Sequence, residues 1–147
     1  MIEDSRKKAR LLLAKAVDFH GHLGPFLVLG IRMGIIAQSM LEAESLDDLS
    51  AVIFVEPHPP ASCTVDGVQV ASGCTLGKGT IRISGASDRL TGAFRVGERA
   101  CTVSVRIQAL VPLLEGIRKA SDKAVIEMAE DVMARPDADL FEVSLGS

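Results

Sequence analysis

Two short stretches of this 147-residue chain hold most of its reactive side chains. In Phe19-His20-Gly21-His22-Leu23-Gly24-Pro25, two of the three histidines stand one residue apart, so both imidazoles can converge on one point. Between Cys63 and Gly79, CTVDGVQVASGCTLGKG, the thiols of Cys63 and Cys74 join the carboxylate of Asp66, the amide of Gln69 and the ammonium of Lys78 among glycines. Imidazole and thiolate are the donors that zinc, or another divalent transition metal of similar softness, selects, and four is the usual coordination number of zinc. The expectation is a metal-centred cleft with His20, His22, Cys63 and Cys74 as ligands, and with Cys63, Asp66 and Lys78 as candidates for catalysis. Glycine-permitted backbone N–H groups beside Lys78 also suit a carboxylate or phosphate.

Other chemistries fit less well. Gly73 to Gly79 superficially looks like a phosphate loop, but only three residues separate Gly73 from Gly77, and Lys78 is followed by glycine instead of Ser or Thr. A Cys63 nucleophile with a histidine base stays open, as does a Cys63/Cys74 dithiol pair, although their spacing is not C-x-x-C. Three protein ligands would leave a coordination position for a substrate, four would close the shell, and glycine-flanked Cys74 is the residue on which that difference turns. His58, set among three prolines, reads as an exposed loop residue, and Cys101 as a packed thiol.

The elements that position these groups can be read from periodicity. Ala9, Leu12, Leu13, Ala16 and Val17 recur at helical spacing, and one further turn carries His20 inward. Gly21 then breaks the helix, and Pro25 starts another that runs to Leu41 and is apolar on nearly every side, so core or a second protomer must cover it. Ala51 to Val55 reads as a strand. A short helix begins at Cys63, with Thr64 as a cap, and a helix N-terminus would favour the Cys63 thiolate. Ile81 and Ile83, Phe94 and Val96, and Cys101, Val103, Val105 and Ile107 alternate with polar residues, the pattern of antiparallel strands with one buried face. Ser84–Asp88 and Val96–Arg99 supply turns. Helices follow near Leu110 to Lys119 and after Ser121, and Phe141, Val143 and Leu145 alternate in a last extended piece. The fold class is α+β, an antiparallel sheet packed against helices in a single domain over 1–147, dimeric through its apolar helix.

Composition narrows the function. A net charge of −3 with no basic stripe excludes a surface built for phosphate backbones. Arg32 and Gln38 interrupt the longest apolar run, which excludes a membrane span. Three cysteines cannot all pair, and with no signal-like N-terminus the expectation is a reducing cytoplasm.

Phe19 to Gly34, Cys63 to Gln69 and Gly73 to Gly79 together closely resemble the E-subunit family of formylmethanofuran dehydrogenase, from the first helix to the Phe141-Glu142-Val143 strand. The resemblance implies an α+β core domain that dimerises, with a zinc-type metal site in a cleft, and it matches His20, His22, Cys63, Asp66, Gln69, Cys74 and Lys78 to the family's metal and polar motif. Two features depart from the family. The cysteine-rich zinc finger that many members carry after the last strand is absent from this sequence. Gly67 stands where relatives often have Ala, an exchange worth about 1 kcal/mol against the short helix. With no cluster-binding cysteine array or pterin domain, the chain is expected to be a metal-binding accessory protein in one-carbon, methanogenesis-related or molybdenum/tungsten enzyme metabolism. Its partners would be a molybdenum/tungsten oxidoreductase or a small anionic ligand. The alternative is a stand-alone metal-dependent or Cys-dependent enzyme acting on a small anionic substrate.

Overall fold

The apolar repeat near the N-terminus does form a helix. In the computed structural model, which describes residues 3–85 and 89–146, α1 spans Arg6–His20. It stops where Gly21 takes a φ of 104° and donates its N–H to the Val17 carbonyl at 2.7 Å, a left-handed cap that a residue with a Cβ would strain. Pro25 then opens α2, Pro25–Met40, at the position where a missing N–H costs nothing.

Every residue of α2 from Pro25 to Ala37 is buried within this one chain. The apolar pattern called for core or a second protomer to cover the helix, and α1, α3 (Cys63–Ser72) and α5 (Asp122–Ala134) of the same chain do so. The contact with α3 is made backbone to backbone. A Cβ on Gly30 would lie 2.0 Å from the Thr64 carbonyl oxygen, and one on Gly67 would lie 2.2 Å from the Leu27 carbonyl oxygen. Gly67 is therefore required by packing, and its helix-propensity cost of about 1 kcal/mol is the smaller effect.

The strands are β1 (Ser50–Phe54), β2 (Ile81–Ser84), β3 (Thr91–Val96), β4 (Arg99–Val105) and β5 (Phe141–Gly146), in the order β2-β1-β3-β4-β5. All pairs are antiparallel except β1 with β2, which is parallel, so the sheet is mostly rather than wholly antiparallel. The exception has a cause: α3 links β1 to β2 as a crossover, and a crossover returns the chain in the same direction. Ile107 leaves the alternation and starts α4, Ile107–Ile117. Ser121 caps α5 by accepting from the Ala124 N–H at 3.1 Å. A short α6, Asp137–Leu140, has no counterpart in the periodicity. Within the turn read at Ser84–Asp88, positions 86–88 lie outside the described residues.

One sheet face, with Ile53, Phe94, Cys101, Val103 and Val105, packs on the helices, where Met33 of α2 approaches Gly92. The other face carries exposed Arg82, Arg95, Thr102 and Ser144. No helix among the described residues is long and apolar enough to cross a membrane.

Arg32, read from the sequence only as an interruption, is fully buried, and each of its guanidinium nitrogens donates a hydrogen bond. Its guanidinium donates to Ser5 Oγ at 2.8 Å, to the Val132 carbonyl at 2.7 Å and to Asp137 Oδ1 at 2.8 Å, with Asp4 Oδ1 at 3.3 Å and the Phe141 ring centroid 5.9 Å away. Ser5 also donates its hydroxyl to Asp137, whose N–H donates to Asp4 at 2.9 Å. Burial pushes the Asp4 carboxyl up, but the hydrogen bonds from Asp137 and Arg6 and the charge of Arg32 outweigh it and hold the pKa below its ordinary value.

Candidate metal centre

The end of α1 and the start of α3 meet at one corner of the helical layer. His20 is the last residue of α1, His22 lies just past the Gly21 cap, and Cys63 is the first residue of α3. One ligand atom from each of His20, His22 and Cys63 lies within 4.8 Å of the other two. The two imidazoles are tilted by 43° with centroids 4.4 Å apart. Donors sharing a tetrahedral ion at bond lengths of about 2.0–2.3 Å stand roughly 3.5 Å apart, so the set has little more than an ångström to close.

A carboxylate and an amide behind the donors orient His20. Its Nδ1 lies 2.5 Å from Asp66 Oδ2, on the next turn of α3 after Cys63. Asp66 Oδ1 accepts from Gln69 Nε2 at 3.2 Å, and Gln69 Oε1 accepts from the Leu76 N–H at 3.1 Å. A carboxylate on Nδ1 fixes the proton there and leaves the lone pair on Nε2, the arrangement that prepares a histidine for a metal. Nε2 of His20 is buried and has no hydrogen-bond partner. A buried polar atom left unsatisfied is costly, and a cation held with His22 and Cys63 would satisfy it. The donors present therefore fit a metal ion of that kind, which His20, His22 and Cys63 would hold.

Cys74 is not brought to this group. It follows the C-terminus of α3, ten residues long, while Cys63 starts it, and a helix of that length rises about 15 Å. Cys74 is buried in the core, with its Sγ donating to the Leu49 carbonyl at 3.3 Å. The C-x10-C spacing put a helix between the two thiols, and the same distance separates a dithiol pair. Lys78 lies in the loop beyond Cys74 and pairs with Asp47 at 2.9 Å. Its glycine neighbours carry a turn at the sheet edge, away from the His20 corner. His58 is exposed, and Cys101 is buried on the helical side of the sheet.

The Cys63 thiol also departs from expectation. Burial pushes its pKa up and the Asp66 carboxylate pushes it further, and these outweigh the favourable backbone hydrogen bond at the helix start. Thr64 does not cap α3: its buried hydroxyl has no partner, and Ser62 stands at the cap position without a side-chain bond. Burial likewise raises the pKa of Cys74, and that of Cys101 to about 11.

Fold and corner together define an α+β protein with a candidate three-donor metal site between two helices. The chain belongs to the FmdE family, described as "Molybdenum formylmethanofuran dehydrogenase operon", which matches residues 19–142. A curated relative from Archaeoglobus fulgidus, "Probable S-adenosyl-L-methionine-binding protein", is 34% identical over 140 residues. That match covers 90% of this chain but only 36% of the relative, so the chain spans about a third of that protein's length.

Proposed function

We propose that this protein is a metal-binding accessory protein of the formylmethanofuran dehydrogenase type, carrying one zinc-type ion on His20, His22 and Cys63. The observation that carries this reading is the buried Nε2 of His20, without a hydrogen-bond partner among the described residues, on a ring that Asp66 holds beside two further donors of the right chemistry. When bound, such an ion supplies Lewis acidity and binds an anion or polar group at a position the protein leaves free. Asp66 fixes the His20 tautomer, and Gln69 holds Asp66. Cys63, with its raised pKa, gives up its proton only as the ion binds, so affinity falls as pH is lowered. A free thiol in that role suits a reducing compartment, and we place the protein in the cytoplasm.

Three protein donors would leave a coordination position free, which favours a ligand-binding role over a closed structural staple. The family description names a molybdenum enzyme, and a molybdenum or tungsten oxidoreductase is our proposed partner. Homodimerisation belongs to the same proposal, with the exposed Ile107 and Val111 of α4 as its surface. The enzymatic alternative, a metal-dependent reaction on a small anion, uses the same open position.

Elemental analysis of protein purified without chelators tests the proposal directly: about one zinc-like ion per chain is expected. Cys63→Ala should abolish metal binding and Cys74→Ala should leave it intact. Equal loss in both variants would remove the three-donor site from consideration.

A further inference from the structure

The sheet face turned away from the helices carries a cleft that the metal-centred reading does not use. Its volume is about 600 Å³, within the range of small-molecule sites. The floor is made of small, half-buried side chains, Val52 paired with Ala93 and, on the same face, Ala100. Arg82 of β2 and Arg95 of β3 line it, and among the described residues no Asp or Glu does, although the chain as a whole is net acidic. Among the described residues neither guanidinium has a carboxylate within ion-pair distance. Arg95 donates only to the Gly97 carbonyl at 3.4 Å, whereas Arg99 and Arg106 are paired with Glu42 and Glu142.

Two planar cations with no carboxylate partner among the described residues, beside a floor of small apolar groups, match an anion that carries a flat apolar body. Guanidinium forks take phosphate or carboxylate oxygens in pairs, and small side chains leave level space for a ring. The floor offers no aromatic platform for stacked bases, because Phe94 faces the helices, so an extended single-stranded nucleic acid is not the matching ligand. We propose that this cleft binds a small phosphorylated or carboxylated organic anion, at a site separate from His20, His22 and Cys63.

Amide correlation spectra titrated with AMP, pyrophosphate and adenosine test the proposal. AMP should shift the amides of Val52, Ala93, Arg95 and Thr102, pyrophosphate the same set at higher concentration, and adenosine none of them. Arg82 and Arg95 are exposed, so the double variant Arg82→Gln/Arg95→Gln should keep the remaining amide positions. It should weaken AMP binding at least about tenfold, the effect of losing charged hydrogen bonds. Equal affinity in the double variant, shifts confined to other regions, or no response to either anion would overturn the proposal. Cleft amides that ignore AMP but shift when a dimer is diluted to monomer would overturn it too, and would make a second copy the occupant.

Discussion

Two polar clusters flank α2, one complete and one not. Around Arg32, guanidinium, hydroxyl, carbonyl and two carboxylates satisfy one another and tie the N-terminal segment to α5 and α6. At the His20 corner the chain is equally ordered from Leu76 through Gln69 and Asp66 to Nδ1, yet it ends on a buried nitrogen with no partner. Buried polar groups that close on themselves fix a fold, and one held in position but left unsatisfied is prepared for something else. The difference separates a cluster that holds the fold from a candidate binding site without reference to any bound molecule.

The largest expected effect breaks the complete cluster. Arg32→Met leaves the carboxylates of Asp4 and Asp137 without their cation and should lower stability by about 3 kcal/mol, the lower end for a broken buried pair because both acids are partly exposed. Urea denaturation measures this, and metal stoichiometry should stay unchanged. Lost metal at preserved stability would mean that the two clusters are not distinct.

Asp66→Asn acts on the other cluster. Metal affinity should fall about 10- to 100-fold, as for the loss of an outer partner of a ligating histidine, while the metal-free protein changes little in stability. Competition with a chromophoric chelator gives the affinity.

Cys101 supplies a control, a buried thiol with no role in either cluster. Burial raises its pKa from 9.0 to about 11, so the neutral form is favoured by folding. Its contribution is complete below about pH 9 and is lost as pH rises through 11, on the order of 2–3 kcal/mol. Cys101→Val should flatten that stretch of the stability–pH curve. Gln69→Ala should have the smallest effect, a few-fold loss of metal affinity, because Gln69 acts only through Asp66.

Much of the corner was legible in the sequence because its information is local. The stripe from Ala9 to Val17 predicts that His20 faces inward, and H-x-H across Gly21 predicts that the second imidazole can join it. Strand parity likewise placed Cys101 and Val103 in the core. The rest depended on contacts between distant residues. Cys74 has the right donor type, but only the length of α3 reveals that it stands at the wrong end. Arg32 looked like a blemish in an apolar helix because its partners, Ser5 and Asp137, lie at opposite ends of the chain. Gly67 looked like a weak helix residue because propensity is local and the carbonyl of Leu27 is not. One signal was available for Asp66, since it lies three residues after Cys63 and therefore on the same side of α3.

The crossover made by α3 has a consequence for folding kinetics. The donors come from the end of α1 and the turn after it and from the helix that carries the chain from β1 to β2, with α2 packed on both and at backbone distance from α3. The set exists only after those three helices have docked, so a metal ion cannot act as an early nucleus. Bound metal should therefore slow unfolding strongly and leave the refolding rate almost unchanged.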